Sequence, residues 1–333
     1  MSQVRSSDAD ARTALGRLFA PIAADLAAVD RRLQQELRHD DPFIDELAQH
    51  SFRMGGKRLR PALLLLVARA VGKITEDHRT LAAVVEMVHT ATLVHDDVLD
   101  DAEVRRHLDT VNARWNNQTS VLLGDYLFTH AFYLASTLDT TFGCRAIGEA
   151  TNTVCEGELR QTASSGNFWL ARDEYLDIIG AKTAELCACC CRLGAHYAGG
   201  EPHVVEALAN FGRKLGMAFQ IVDDLLDLEG EEQTTGKSLG TDFAHRKMTL
   251  PLILLRDGLD AHGRNRLQGL YEESDAAAPL LLEWLDEAGA LQQARQTAID
   301  FSAAAVADLA PLADSDAKRV LADLARFVVA RNA

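Results

Sequence analysis

Two acidic clusters carry the residue types best suited to chemistry, and both have the spacing DDxxD. Each follows an apolar stretch with the periodicity of a helix. Their aspartates are Asp96, Asp97, Asp100, Asp101, Asp223, Asp224 and Asp227. Residues four positions apart share one face of a helix and lie about 6 Å apart along its axis. We therefore expect Asp96 and Asp100 to project together, and Asp223 and Asp227 to do the same.

Carboxylates at this spacing indicate a bound cation. Like charges four residues apart repel by a few tenths of a kcal/mol even when exposed, and a helix C-terminus disfavours anions. Hard oxygen donors without His or Cys favour magnesium over zinc or copper. Because magnesium is typically held by one or two carboxylates plus substrate phosphates, two clusters predict a phosphate ester bound between them. A solvated acidic face is the alternative, and the repetition of the pattern makes it the weaker one.

Basic residues that could bind a diphosphate recur beside these clusters. In FRMGGKRLRPALLLL (52–66), three cations follow two glycines and precede a helix that begins near Pro61. Glycines permit close backbone approach and a helix N-terminus offers free N–H groups, although the Walker spacing is missing. The candidate cations are Lys57, Arg58, Arg60, Arg105, Arg106, Lys182, Lys237 and Lys247. Any one alone is more often a solvated surface residue, so the combination with the acidic clusters carries the prediction.

Helices must position these side chains. The helix formers Ala, Leu and Arg are abundant, and alternating β-branched residues are almost absent. The pattern predicts helices over 11–38, 43–54, 60–72, 76–104, 115–137, 142–163, 168–198 and 202–229, with further helices after a polar loop at 230–247. No Pro-, Gly- or Ser-rich linker divides the chain, so we expect one all-α helical bundle over residues 1–333, with about 1–10 disordered.

Composition excludes several classes of protein. The 34 Lys and Arg against 49 Asp and Glu give a net charge of −15, which argues against nucleic-acid binding. No apolar run approaches the roughly 20 residues of a transmembrane helix, and the N-terminus lacks an apolar signal core, so we expect a cytoplasmic protein. One cysteine group could indicate a zinc site, but small core residues on a buried helix are favoured because no matching CxxC pair exists. These cysteines are Cys187, Cys189, Cys190 and Cys191.

The ordered motifs of the chain resemble those of the trans-isoprenyl diphosphate synthase family, most closely its longer-chain, hexaprenyl to octaprenyl members. They are GGKRLRP (55–61), VHTATLVHDDVLDDAEVRR (88–106), GDYLF (124–128), EGELRQ (156–161), AKTAEL (181–186), GMAFQIVDDLLD (216–227), GKSLGTD (236–242) and RKMTLPLI (246–253). The resemblance implies a helical homodimer with a central apolar cavity and magnesium, about three ions per site, at its mouth. It also implies a reaction in which an allylic diphosphate ionises and isopentenyl diphosphate attacks the cation head-to-tail, without a protein nucleophile.

The same resemblance assigns roles residue by residue. The magnesium ligands are Asp96, Asp100, Asp223, Asp224 and Asp227, with Asp97 beside them. Isopentenyl diphosphate would be bound by Lys57, Arg60, His89 and Arg106. The allylic diphosphate would be bound by Arg105, Lys182, Lys237 and Lys247. The allylic carbocation would be lined by Thr183, Phe219 and Gln220. Two positions depart from the family pattern, since His107 and Arg246 replace common glycines, and Arg246 could add to the phosphate site.

Residues upstream of the first cluster bear on product length. Side chains on a helix point toward its N-terminus, so the growing chain would pass Thr92, Ala91 and Val88. Short-chain members of the family commonly carry an aromatic residue at one of the first two positions. Here both are small, which predicts a product of about 30 to 40 carbons from a farnesyl or geranylgeranyl primer. Phe132 on the next helix is the candidate for the floor, unless another bulky residue blocks the tunnel earlier.

Four other functions compete with this prediction. The His95-Asp96 pair resembles that of an all-α metal phosphohydrolase, but this leaves the second cluster and GGKRLRP unexplained. A terpene cyclase would need no site for isopentenyl diphosphate. A short-chain synthase, of about 15 to 20 carbons, and a non-catalytic partner subunit of another prenyl synthase remain open. Loss of an acidic cluster or of the basic motif would be expected in a partner subunit, and all are intact here.

Overall fold

Helices form nearly all of the regular structure, which confirms the all-α prediction. The computed structural model describes residues 15–53, 56–106, 108–229, 241–273 and 278–330. Expectations about Lys237, His107 and residues 1–10 lie outside these ranges. That residues 1–333 form one domain stays a prediction.

The helices in chain order are α1 (Ala23–Glu36), α2 (Pro42–Arg53), α3 (Leu59–Val71), α4 (Glu76–Leu99), α5 (Val111–Arg114), α6 (Asn117–Ser136), α7 (Phe142–Ser164), α8 (Arg172–Ile179), α9 (Glu185–Tyr197), α10 (Pro202–Glu229), α11 (Thr241–Ala244), α12 (Leu250–Gly258), α13 (Ala261–Glu273), α14 (Ala278–Glu287), α15 (Ala290–Asp308) and α16 (Asp316–Ala330). A 3₁₀ turn (Ala20–Ile22) precedes α1, and a π-helical turn (Gly180–Ala184) joins α8 to α9. Strands β1 (Val104–Arg105) and β2 (Leu108–Asp109) pair antiparallel, with Val104 opposite Asp109.

Helix α4 carries the first acidic cluster at its C-terminal end. A capping box begins it, in which the Thr75 and His78 side chains satisfy each other's backbone N–H groups. Most of its length is buried. The predicted continuation to residue 104 is wrong, because the chain leaves the helix after Leu99, and Asp101 takes a left-handed φ of 48°. The Thr110 hydroxyl and the Asn112 amide donate to the Ala102 carbonyl and hold the resulting turn.

The predicted helix over 168–198 is divided in the structure. It begins only at Arg172, and its middle is the π-helical turn, which contains Lys182 and Thr183. A π turn adds a residue to the helical repeat and changes the direction of the side chains that follow it. Helix α7 packs closely against this turn, since a Cβ on Gly157 would lie 2.6 Å from the backbone nitrogen of Lys182. Only glycine at position 157 allows the two backbones to approach this closely.

Helix α10 connects two apolar cores. Its first half, with Leu208, Phe211 and Leu215, belongs to a core shared with α3, α4, α6 and α9. Its second half, with Ile221 and Leu225, belongs to a core shared with α8, α12 and α15. The second acidic cluster therefore sits on a helix fixed along its whole length. None of the helices in the described ranges is long and apolar enough to cross a membrane.

The grouped cysteines of α9 are buried core residues, as the sequence predicts. Cys187, Cys189, Cys190 and Cys191 are at most 4% exposed, and burial raises the pKa of each thiol. Within the residues that the structure describes, no three His, Cys, Asp or Glu side chains form a preassembled metal site. These thiols therefore pack as small apolar groups.

Candidate active site

The first acidic cluster lies where α4 ends, close to cations from other elements. Asp96 is partly buried, and its burial raises its pKa to about 6, with Lys182 opposing this rise and Glu158 and Asp100 adding to it. Asp100 is the C-cap of α4, and its Oδ1 accepts a hydrogen bond of 3.1 Å from Lys247 Nζ. The ionised form of Asp96 is thus unfavourable, and a cation bound here would favour it.

Asp97 orients an arginine. Its side chain is 1% exposed, and its Oδ1 lies 2.7 Å from both Nε and Nη2 of Arg105. Arg105 lies in β1, and the Asn112 amide donates to the Asp97 carbonyl, so the hairpin and α4 are tied together. A guanidinium held in this way loses little conformational freedom when it binds an anion.

Lys247 links the two acidic clusters. Its Nζ lies 3.1 Å from Asp100 Oδ1 and 3.8 Å from Asp242 Oδ1. The backbone N–H of Asp242 in turn donates to Asp227 Oδ2 at 3.1 Å. Burial opposes the charge of this lysine, but Asp242 and Asp100 outweigh it and raise the pKa of Lys247. An ammonium group therefore stands between Asp100, at the end of α4, and Asp242 of α11, near where a diphosphate is expected.

The aspartates of the second cluster differ in their surroundings. Asp223 and Asp227, one turn apart on α10, are partly buried. Asp224 is 5% exposed, and both its oxygens accept hydrogen bonds, from Tyr175 Oη at 2.6 Å and from Gln220 Nε2 at 2.8 Å. Asp223 and Asp227 are four residues apart and so share one face of α10, whereas Asp224 points into the protein.

Lys182 makes an ion pair with a carboxylate to which the sequence analysis assigned no role. Its Nζ lies 2.6 Å from Glu158 Oε2, and the two side chains are 21% and 22% exposed. Glu158 follows Gly157, the residue that allows α7 to approach the π-helical turn. The next residue along the chain, Thr183, donates from its hydroxyl to Gln220 Oε1 at 2.8 Å. The motif EGELRQ contained Glu158, and its position beside a helical glycine was the available signal.

A basic pocket lies beside the first acidic cluster, against α4. Its lining includes Ser51, Gly56, Glu86, His89, Thr90, Leu93, Val94 and Arg105. Burial and the neighbouring Arg60 and Arg106 lower the pKa of His89 well below its usual value. A neutral imidazole results, and its Nε2 accepts from Arg60 Nη1 at 3.0 Å. The guanidinium of Arg106 occupies the space beside Gly56 that a Cβ would fill.

These contacts leave the pocket suited to an anion. Arg60 Nε is buried and has no hydrogen-bond partner among the residues that the structure describes. Lys57 is exposed and lies just before α3. Arg58 is used differently, since it binds Glu86 at 2.6 Å and Asp30 at 3.0 Å, with a left-handed φ of 51°. Of the three cations in GGKRLRP, Arg58 therefore stabilises the fold.

The residues expected to bear on product length lie along α4 and α6. Val88 and Ala91 are 0% exposed within the first apolar core, and Thr92 is partly buried, with its hydroxyl donating to the His89 carbonyl. Phe132 and Phe219 are partly buried and pack against the same core. The side chains upstream of Asp96 are thus small and apolar or weakly polar, as the prediction of product length requires.

Arg246 adopts the conformation that explains the glycine common at this position in the family. Its φ is 53°, in the left-handed region. Its Nη2 donates to the Glu272 carbonyl at 3.1 Å, and its own carbonyl accepts from Gly166 N at 3.0 Å and from Tyr271 Oη. The expected contribution of Arg246 to the phosphate site is not seen, because its side chain is bound to α13.

The donor set fits magnesium. Four aspartate side chains, two at each helix end, offer hard oxygen atoms, and fixed cations stand among them. Asp96, Asp100, Asp223 and Asp227 would hold the ions together with the oxygens of a diphosphate. The arrangement can thus bind a diphosphate between α4 and α10, with the basic pocket beside it.

Known proteins are similar to this chain over nearly its whole length. The family model for polyprenyl synthetases matches residues 41–285. The octaprenyl diphosphate synthase of Escherichia coli (strain K12) is 34% identical over 312 residues, 93% of this chain and 97% of that protein. A decaprenyl diphosphate synthase from Rhodobacter capsulatus has a crystal structure with a TM-score of 0.89 and 37% identity, covering 95% of this chain and 98% of that one. The polyprenyl synthase of Caulobacter crescentus CB15, complexed with calcium and isoprenyl diphosphate, gives a TM-score of 0.90 and 38% identity over 96% and 98%.

Proposed function

This chain belongs to the polyprenyl synthetase family and is a prenyltransferase, and from this premise we propose that it is a magnesium-dependent trans-polyprenyl diphosphate synthase. It condenses isopentenyl diphosphate head-to-tail with farnesyl or geranylgeranyl diphosphate and releases a polyprenyl diphosphate of about 30 to 40 carbons. The single observation that carries the proposal is the position of Lys247 between Asp100 and Asp242, which places a cation between two carboxylate-bearing helix ends.

The cations of the site bind and orient the allylic diphosphate. Magnesium, when bound, supplies positive charge that stabilises the leaving diphosphate. Lys182, Lys247 and Arg105 hold the same group from three elements and oppose its rotation. Fixed positive groups of this kind lower the barrier to carbon–oxygen cleavage because they need no reorganisation as charge develops. Lys237 belongs to the same proposed set.

The basic pocket holds the second substrate. Arg60 and Arg106 would bind the diphosphate of isopentenyl diphosphate, with Lys57 at the edge and His89 donating from Nδ1, since its Nε2 accepts from Arg60. Placing the double bond of this substrate beside the allylic carbon makes the condensation effectively intramolecular. The buried, partnerless Arg60 Nε supports this assignment among the described residues.

Small residues upstream of Asp96 support a long product. Ala91 and Thr92 present no ring toward the path of the growing chain, and Phe132 would close it further down. The names of the octaprenyl and decaprenyl relatives agree with a product longer than a short-chain one. A short-chain synthase and a non-catalytic partner subunit are the alternatives, and the complete set of acidic and basic residues disfavours the second.

The enzyme is proposed to work as a homodimer. Helix α6 exposes Leu122 and Tyr133, which are 60% and 65% exposed and lie three turns apart on one face. Val121 of α6 is also 44% exposed. Exposed apolar side chains grouped on one helix are typical of surfaces that a partner covers.

Product analysis tests the proposal. Purified protein is incubated with farnesyl diphosphate, isopentenyl diphosphate and magnesium, and product lengths are measured by mass spectrometry. We expect an EDTA-sensitive ladder that ends at about 30 to 40 carbons. Products that stop at about 15 or 20 carbons would contradict the chain length only. No product, with or without EDTA, would support the partner subunit instead.

A further inference from the structure

A buried chain of hydrogen bonds runs from α8 through α10 to the π-helical turn. Tyr175 Oη donates to Asp224 Oδ2 at 2.6 Å, and Gln220 Nε2 donates to Asp224 Oδ1 at 2.8 Å. At the other end of the amide, Gln220 Oε1 accepts from the Thr183 hydroxyl at 2.8 Å. Tyr175 and Asp224 are 4% and 5% exposed, whereas Gln220 is partly exposed. Thr183, at the far end, is 8% exposed, so the chain is buried except at Gln220.

Asp224 is poorly placed to bind a metal ion. Both its oxygens already accept short hydrogen bonds, and its side chain is buried against α8. Asp223 and Asp227, on either side of it in the sequence, are more exposed and share one face of α10. To coordinate an ion, Asp224 would have to give up Tyr175 or Gln220 and leave a buried donor without an acceptor, which is costly.

The same contacts determine which way the Gln220 amide faces. Burial and the nearby Asp242 raise the pKa of Asp224 well above its usual value, whereas the hydrogen bonds from Tyr175 and Gln220 oppose that rise and favour the ionised carboxylate. An ionised carboxylate only accepts hydrogen bonds, so in this form the nitrogen of the amide faces Asp224 and the oxygen faces away from it. The oxygen then accepts from Thr183, which lies next to Lys182 at the site. Without Asp224 the two ends of the amide would be nearly equivalent, and the nitrogen, which carries partial positive charge, could face the substrate.

We propose that Tyr175 and Asp224 are positioning residues that keep the carbonyl oxygen of Gln220 toward the allylic substrate, and that Asp224 is not a metal ligand. The inference rests on the proposed function, in which positive charge develops on the allylic carbons as the diphosphate departs. A fixed carbonyl dipole with its negative end toward that charge stabilises the transition state, and the reversed amide destabilises it. Tyr175 in turn holds the carboxylate in place.

A double-mutant cycle tests the positioning role. We expect Tyr175→Phe to lower kcat about tenfold while the KM for farnesyl diphosphate changes less than about twofold, because one hydrogen bond of the chain is lost. In a Gln220→Ala background, the same Tyr175→Phe change should lower kcat less than about twofold, since the group it positions is gone. An equal loss in both backgrounds, at matched thermal stability, would mean that Tyr175 acts only on the fold.

Metal binding tests the role of Asp224 without turnover. Binding of Mn²⁺ in the presence of inorganic diphosphate is measured by electron paramagnetic resonance for the whole protein. Asp224→Asn should keep the affinity of the wild type within about twofold, and the matched variant Asp223→Asn should lose about tenfold or more. Equal losses would overturn the inference. If the wild type makes no prenyl product, the proposed function fails, whereas an unchanged Mn²⁺ affinity of Asp224→Asn would still remove it from the metal ligands.

Discussion

At the scale of residues, three cations expected to bind a diphosphate already have carboxylate partners. Arg105 is bound to Asp97, Lys182 to Glu158 and Lys247 to Asp100. The partners keep the cations inside the site and pointing inward before any substrate arrives. Binding of a diphosphate is therefore an exchange of ion pairs, which avoids the larger free-energy change of bringing free charges out of water.

Asp96 should destabilise the metal-free fold above about pH 6. Its pKa rises from 3.8 to about 6 on folding, so the folded protein holds an extra proton in that window and loses stability as the pH rises through it. We expect Asp96→Asn to raise the free energy of unfolding in EDTA by up to about 3 kcal/mol at pH 7.5, and by much less near pH 4.5. Turnover should be abolished. Urea denaturation at both pH values measures the effect.

The matched control is Asp101→Asn, an exposed carboxyl of the same cluster. It should change the free energy of unfolding by less than about 0.5 kcal/mol at either pH. An Asp96→Asn variant no more stable than the wild type at pH 7.5 would show that Asp96 ionises without a penalty.

The left-handed backbone at Arg246 gives a second prediction. Because both variants lose the guanidinium, a comparison of Arg246→Gly with Arg246→Ala isolates the backbone. At a φ of 53° the glycine variant should be more stable by about 1 kcal/mol, measured by chemical denaturation. Equal stabilities would mean that the surrounding contacts, not the backbone, determine this conformation.

At the scale of elements, the π-helical turn depends on a contact with α7. We expect Gly157→Ala to destabilise the protein by about 1–3 kcal/mol, because the added Cβ would lie 2.6 Å from the backbone nitrogen of Lys182 and 2.9 Å from Ala181 Cβ. The displaced turn should also weaken binding of the allylic diphosphate. Thermal unfolding and the KM for farnesyl diphosphate provide the two measurements.

Gly148→Ala, on the same helix, is the control. Its new Cβ would meet only Phe132 Cε1, at 3.8 Å, so the change should be neutral or stabilising by up to about 1 kcal/mol. If both glycine variants behaved alike, helix propensity and not the contact between α7 and the turn would explain the loss.

Much of this architecture could be predicted from local sequence. Helix starts at Thr75 and near Pro61, and the break at Gly199, follow from caps and breakers within a few residues. The hairpin after α4 and the π-helical turn could not, since the first depends on Asn112 and the second on Gly157, each from another part of the chain. These are tertiary contacts, which local periodicity does not encode.

The candidate site, too, could be predicted only in part from local sequence. Residue type and spacing are enough to pick out the aspartates and the basic motif. Their partners depend on contacts across the fold, such as that of Lys182 with Glu158 and that of Asp224 with Tyr175. Nothing in the segment around Tyr175 distinguishes it from an ordinary core tyrosine, so its role could not be predicted from the sequence.

At the scale of the whole molecule, the exposed face of α6 should be an interface. We expect Leu122→Glu to convert a dimer into a monomer, because a carboxylate placed in an apolar interface loses its hydration without gaining a partner. Light scattering after size-exclusion chromatography measures the mass. Ile299→Glu on α15, where the side chain is 40% exposed, should leave the dimer intact. A wild type that elutes as a monomer would contradict the homodimer.

The pairing of Asp100 with Lys247 has a consequence for how ligands affect one another. An ion that recruits Asp100 sets Lys247 free for a diphosphate, and a diphosphate that recruits Lys247 sets Asp100 free for an ion. Thermodynamic linkage requires the two effects to be equal, so the factor by which the metal raises diphosphate affinity must also describe how the diphosphate raises metal affinity. One ion pair thereby makes the binding of the two ligands cooperative without any direct contact between them.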